Sequence, residues 1–265
     1  MELKGSRVMV TGGSRGIGAA LAAEFAAAGA QPILIGRDPT PLEDVARRVG
    51  GVWWVADLSD RDQVSGLTGR IEAEHGPVDI LVNNAGVETT GAFVDHQAGD
   101  IEALYRLNLL TPVQLSRQVL PGMLERRSGH IVNISSLAAF SAFPGMAIYG
   151  SSKAGLTQFT AGLRADLRGA PVGTTVVEIG LTTTSMMDRA LAYAPVADSF
   201  ARLYRLRLLA DLSAEAVATA TVDAVRTGRR HVRLPRRAAV AAQLASAPRR
   251  TTEWLLTGVA HQQGG

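Results

Sequence analysis

Short, continuous apolar runs alternate along the chain with longer Ala- and Leu-rich stretches of helical period. The runs predict β-strands near Arg7–Val10, Pro32–Ile35, Val52–Val55, Ile80–Asn83, His130–Ser135 and Thr174–Ile179. Strands separated by helices build βαβ units. A parallel sheet covered by helices on both faces needs strands that are apolar throughout, and Ile80-Leu81-Val82 has that form. The fold class expected is α/β, a doubly wound parallel sheet with its ligand sites at the carboxyl ends of the strands.

No repeat or low-complexity linker interrupts residues 1–184, so they read as one domain. Residues 185–210 change to a Met-, Ala- and Arg-bearing helical segment without a strand, placed to act as a substrate lid. The division expected is a catalytic domain over 1–235 and a helical extension over 236–265 packed on it.

Composition narrows the chemistry. With 265 residues and 46% hydrophobic content the chain can bury a sizeable core. It has no cysteine, which excludes a disulfide framework, a thiolate metal site and a cysteine nucleophile, and no metal is expected. The apolar run Val8-Met9-Val10 is too short for a signal sequence or a membrane span, so a cytoplasmic protein is expected. Net charge is only +3, but Arg229, Arg230, Arg233, Arg236, Arg237, Arg249 and Arg250 crowd the tail. There Val240, Leu244, Trp254, Leu255 and Leu256 fit an anionic membrane surface, a partner, or a helix packed on the same domain. The last is favoured, because apolar faces of terminal helices usually serve the core. Nucleic acid is not an expected partner, since the basic residues lack interleaved aromatics.

The first strand runs into Thr11-Gly12-Gly13-Ser14-Arg15-Gly16-Ile17-Gly18 and then an Ala-rich helix. Glycines at this spacing permit a tight turn, close approach of backbone to a pyrophosphate and close helix–sheet packing, and the helix amino terminus favours the phosphate charge. At the end of the second strand, Gly36-Arg37-Asp38 lies where a ribose 2′ substituent belongs. A carboxylate there would accept from a 2′-hydroxyl, whereas a guanidinium would pair with a 2′-phosphate. With Arg37 at the strand end and Arg15 from the glycine loop, NADP(H) is preferred over NAD(H). Asp38 reads as a helix cap before Pro39, and solvated surface arginines are the competing reading.

Tyr149-Gly150-Ser151-Ser152-Lys153 sets a phenol and an ammonium one helical turn apart on the same face. A neighbouring cation favours the phenolate and would lower the tyrosine pKa, making proton exchange with a carbonyl oxygen feasible. Thirteen residues before the tyrosine, Ser136 ends a buried strand, where its hydroxyl could hold the substrate oxygen. Ser135 competes for that role, and spacing favours Ser136.

Through Thr11–Gly18, Asn83-Asn84-Ala85-Gly86, Asn108, Ser136, Tyr149 and Lys153, in that order, the chain resembles the short-chain dehydrogenase/reductase family. The likeness covers about residues 5–184, weakens through 235 and is lost in the tail. It implies a Rossmann fold, with Tyr149 as general acid for reduction and Ser136 orienting the carbonyl. Lys153 would bind the nicotinamide ribose and lower the tyrosine pKa, and Asn108 would position a relay water. It further implies that Asn84, Ala85 and Gly86 pass beside the cofactor, with Asn83 steadying the sheet behind them. Asp57, followed by Leu58, would meet the adenine, unless it caps the helix that begins near Arg61. In Ile179-Gly180-Leu181-Thr182-Thr183-Thr184 the threonine at 184 matches a carboxamide contact, Gly180 and Thr182 flank the cofactor, and Ile179 replaces the usual proline. A homo-oligomer, dimer or tetramer, is implied as well.

Met186, Met187, Leu191, Tyr193, Phe200, Leu203 and Tyr204 give the lid an apolar wall and point to a hydrophobic small-molecule carbonyl or alcohol. Arg202, Arg205 and Arg207 would suit an acidic carrier or equally a solvated face. The function expected is NADP(H)-dependent hydride transfer between nicotinamide and a ketone, aldehyde or secondary alcohol. Its rivals are a 3-oxoacyl-thioester reductase and, from another class, a non-catalytic NADP(H)-binding sensor or scaffold.

Overall fold

In a computed structural model, residues 1–182, 191–205 and 210–235 are described. The first half of the chain alternates β1 (Arg7–Thr11), α1 (Gly16–Ala27), β2 (Gln31–Gly36), α2 (Pro39–Val49) and β3 (Val52–Val55). Two short helices, α3 (Arg61–Val64) and α4 (Leu67–His75), lead to β4 (Ile80–Asn83). Then come α5 (Ala98–Tyr105), a π-turn over Arg106–Leu110, α6 (Thr111–Glu125), β5 (Gly129–Ser136), α7 (Ala147–Asp166) and β6 (Val172–Ile179). Helices α8 (Ala194–Arg205) and α9 (Ala214–Thr227) precede β7 (His231–Leu234).

The strands form one sheet in the order β3-β2-β1-β4-β5-β6-β7, every pair parallel. This is the doubly wound Rossmann-type fold that the alternating pattern predicts. Chain order reverses between β1 and β4, which opens a crevice at their carboxyl ends. Successive strand residues feed opposite layers: Val8, Ile80 and Val132 pack under α1, α2 and α9, whereas Met9, Leu81 and Ile131 pack under α4 and α6. Both layers are apolar, which is why the central strands are too.

Two features differ from the sequence reading. The strand β3 lies at the sheet edge, and Val52, Trp53 and Val55 are exposed, so its apolar run does not report burial. A seventh strand, β7, extends the sheet beyond β6. Its polar letters hide it: the Arg233 guanidinium donates to the buried Glu178 carboxylate at 2.6 Å, so charge is carried into the sheet as a pair.

The chain leaves β6 through Gly180 and Leu181, and Thr182 then forms an isolated parallel bridge with Leu212, whose N–H donates to Leu181 O at 3.1 Å. The two ends of the segment between them thus meet beside β6. Within it, α8 buries Val196 and Phe200 against Met146 and Leu181, with Phe143, Tyr149, Tyr193 and Leu203 around them. Arg202 and Arg205 are exposed, and Arg207 and the extension 236–265 lie outside the described residues. Among the described residues no helix is long and apolar enough to cross a membrane.

Candidate active site

The loop between β1 and α1 is locked to the end of β4. Thr11 Oγ1 donates to Val82 O and accepts from the backbone N–H groups of Asn84 and Ala85 at 2.9 and 3.0 Å. The Asn84 amide donates in turn to Thr11 O at 2.9 Å and Gly12 O at 3.3 Å. A Cβ on Gly18 would stand 2.0 Å from Gly12 O, so only glycine lets the helix start so close to the loop. Arg15 occupies the cap position of α1 in extended conformation without a side-chain cap bond, leaving the first-turn N–H groups turned to the crevice. That cradle suits a diphosphate.

A cavity of about 550 Å³ starts at this loop and runs along the carboxyl ends of the strands. One end is lined by Ser14, Arg15, Gly16 and Ile17, with Gly36 and Arg37 after β2 and Asp57 and Leu58 after β3. Arg15 and Arg37 are exposed, and neither forms an ion pair among the described residues. Asp38 holds the cap position of α2 with Pro39 behind it, but its side chain makes no cap bond. Asp60, not Asp57, caps α3, accepting from the N–H groups of Asp62 and Gln63. Asp57 is instead engaged by Ser59, through its N–H at 2.9 Å and its hydroxyl at 2.6 Å.

The other end gathers Asn84, Ala85, Gly86, Ser136, Tyr149, Lys153, Gly180 and Thr182. Ser135 faces backward, hydrogen-bonded to Thr157 Oγ1 at 2.7 Å and Lys153 O at 3.1 Å. Ser136 lies on the same cavity as Tyr149, where its hydroxyl favours the phenolate, whereas the Ser135 hydroxyl is engaged within the fold. Lys153, on the next turn of α7, donates to Ile134 O at 3.0 Å, with its Nζ 5.9 Å from the Tyr149 ring centroid. Asn108 is fully buried in the π-turn, the kind of local widening that often re-aims a functional side chain. Gly86 passes between it and the lysine: a Cβ there would meet Asn108 Oδ1 at 3.1 Å and Lys153 Nζ at 3.4 Å. Asn83 lies behind, donating to Asn133 Oδ1 at 2.8 Å in the sheet. Ile179 pairs with Ser136 on one side and Leu234 on the other, so it lengthens the strand before the loop turns away. Thr184, Met186 and Met187 lie outside the described residues.

Electrostatics depart from the sequence expectation. Burial pushes the Tyr149 phenol up to about 12; its hydrogen bond with Ser136 works in the opposite direction, and the nearby Glu88 adds to the rise. Burial also brings the Lys153 ammonium down to about 8. Spacing places a cation beside a phenol, but removing both from water disfavours both charged forms, and here that effect is the larger. The Tyr149 phenol is therefore held in its protonated form at neutral pH.

Residues that sequence reasoning missed also line this cavity: Val87, Glu88, Leu137, Phe143, Met146 and Leu181. Glu88 follows Asn-Asn-Ala-Gly by two positions, and Phe143 and Met146 precede Tyr149 on one loop, so proximity to the motifs was the available signal.

The family model described as short chain dehydrogenase matches residues 6–193. An uncharacterized short-chain type dehydrogenase/reductase of Sinorhizobium fredii is 40% identical over 184 residues, 69% of this chain and 72% of that protein. Ketoacyl reductase HetN of a Nostoc species is 35% identical over 190 residues, 70% of this chain and 66% of its own length, just under two thirds. The structure of a Sphingobium yanoikuyae short-chain dehydrogenase in complex with NADPH superposes with a TM-score of 0.79 at 26% identity, covering 98% of each chain. One from Burkholderia phymatum in complex with NAD gives 0.79 at 25% identity, over 97% of this chain and 96% of that one. With its parallel sheet, glycine cradle and matched profile, this chain belongs to the short-chain dehydrogenase/reductase family of nicotinamide-dependent oxidoreductases.

Proposed function

We propose that the chain is an NADP(H)-dependent oxidoreductase that acts on a ketone or aldehyde, or in reverse on a secondary alcohol, of a largely apolar small molecule. The observation that carries this reading is the Ser136–Tyr149 hydroxyl pair, set one turn from Lys153 in a cavity that extends to Arg37. The bound nicotinamide supplies or takes the hydride. Ser136 and Tyr149 hold the carbonyl oxygen by two donors, and Tyr149 gives it the proton. Lys153 holds the ribose hydroxyls, and Asn108 positions the water that returns the proton. Arg15 and Arg37 would hold the 2′-phosphate, Asp57 and Leu58 the adenine, and Asn84, Ala85, Gly86, Gly180 and Thr182 the nicotinamide half; Thr184, assigned to the carboxamide on the sequence alone, lies outside the described residues. As in many members of the family, the working unit is taken to be a dimer or tetramer.

A 3-oxoacyl-thioester reductase is the second reading, favoured by the similarity to the ketoacyl reductase HetN. The test follows NADPH and NADH oxidation by the purified chain on free ketones, aldehydes and 3-oxoacyl thioesters. Turnover of free ketones with NADPH supports the proposal. Activity confined to the thioesters favours the second reading, and NADPH binding without turnover of anything overturns both.

A further inference from the structure

The charged pair between β6 and β7 leads to a loop of the active-site cavity. Glu178 is fully buried; its Oε2 accepts from Arg233 Nε at 2.6 Å, and its Oε1 has no hydrogen-bond partner among the described residues. A buried ion pair is weak evidence for stability, because removing both charges from water offsets their attraction, and an oxygen left without a donor adds to that cost. What the pair does impose is a position on its surroundings. Held through Nε, the Arg233 guanidinium lies with Cζ 5.9 Å from the centroid of the Phe140 ring and Nη2 3.5 Å from His231 Nδ1. A cation over a ring face is attracted by the ring quadrupole, more strongly where water is excluded, and the Arg233 side chain is only 10% exposed.

Phe140 stands between β5 and α7, on the loop that supplies Leu137, Phe143 and Met146 to the cavity. The end of β7 meets this loop a second time. A Cβ on Gly180 would stand 3.1 Å from Pro235 Cδ, 3.4 Å from Leu234 O and 3.5 Å from Leu137 Cδ1, so the strand end and Leu137 close over the same glycine. A further tie runs to the loop after β4, where Gly91 N donates to Gly145 O at 3.1 Å.

On the oxidoreductase reading above, we propose that the Glu178–Arg233 pair positions the apolar wall of the substrate cavity through Phe140. Glu178, Arg233 and Phe140 are positioning residues, acting through Leu137, Phe143 and Met146. The edge strand thereby sets the shape offered to the substituents of the carbonyl, while Tyr149 and Lys153 are placed by α7 itself.

The experiment follows hydrogen exchange by mass spectrometry over residues 137–146, where the Phe140 and Met146 amides donate to Leu137 O and Phe143 O at 3.0 and 3.1 Å. It compares the wild type with Phe140→Leu, which loses the ring face, Phe140→Tyr, which keeps it, and Arg233→Lys, which keeps the charge without the planar guanidinium. Phe140→Leu and Arg233→Lys should each speed exchange in this segment by about fivefold and leave β5 and α7 unchanged, whereas Phe140→Tyr should match the wild type. For propiophenone and other free ketones, KM should rise by about fivefold in the same two variants, with kcat and NADPH affinity within about twofold of the wild type. The double variant Phe140→Leu/Arg233→Lys should go no further than either single one. If Arg233→Lys does not fold, the two Phe140 variants decide alone. Unchanged exchange in Phe140→Leu, Phe140→Tyr behaving like Phe140→Leu, additive effects in the double variant, or faster exchange with unchanged KM each overturns the proposal. Turnover of no carbonyl by the wild type overturns the oxidoreductase reading, and the exchange data then still decide whether Arg233 anchors the loop.

Discussion

Asn108 grips Val87 by both of its backbone groups: its Oδ1 accepts from Val87 N at 2.9 Å, and its Nδ2 donates to Val87 O at 2.8 Å. The same amide donates to Ser152 Oγ at 3.2 Å, joining the loop after β4 to the helix that bears Tyr149. Asn108→Leu keeps the volume and removes every one of these bonds, leaving buried backbone groups without partners. Stability should fall by about 2–4 kcal/mol, read from the urea midpoint. Turnover should fall with it by at least about tenfold, because the loop beside the substrate loses its anchor. Wild-type stability in this variant would mean that the grip is incidental.

Tyr149→Phe retains the ring that packs with the lid and removes the proton. Carbonyl reduction should drop by about a thousandfold or more while NADPH affinity changes little, measured by stopped-flow turnover and fluorescence titration. Because burial pushes the phenol up to about 12, the protonated form persists across neutral pH. Alcohol oxidation, which needs that proton removed, should therefore accelerate as pH rises toward the phenol's range, whereas reduction should not. Parallel profiles for the two directions would contradict Tyr149 as the exchanging group.

Arg37→Ala should raise KM for NADPH by about tenfold or more and leave KM for NADH nearly unchanged, since only the former carries a 2′-phosphate. Equal effects on both cofactors would remove Arg37 from phosphate recognition.

His130 provides a stability test remote from the chemistry. It is buried at the opposite end of the sheet, bonded through Nε2 to Thr175 Oγ1 at 2.8 Å, and burial, with the amino terminus and Arg164 adding to it, lowers its pKa from 6.5 to about 4. The folded state thus holds the neutral ring while the unfolded chain takes up a proton, so stability falls as pH drops from 6.5 through 4. The loss from this group alone is about 3 kcal/mol, and His130→Gln should flatten that part of the curve of stability against pH. An unchanged slope in the variant would assign the acid sensitivity elsewhere.

The sheet and the cofactor cradle were legible in the sequence because each depends on local rules. Apolar runs of strand length mark buried strands, and Gly18 is written into the chain by a backbone contact that no other residue tolerates. What escaped had non-local causes. The strand β7 contains Arg233, whose charge is tolerable only because Glu178 from the neighbouring strand meets it. The π-turn around Asn108 leaves no mark in periodicity. Glu88, Phe143 and Phe200 share one wall because the topology brings three separate loops and helices to the same sheet edge. Spacing places Lys153 near Tyr149, but the direction in which the phenol titrates depends on how much water the finished fold excludes.

The bridge between Thr182 and Leu212 closes the chain on itself just after β6 and just before α9. The two ends of the intervening segment thus meet at one junction beside β6, and an exchange of that segment would be joined there.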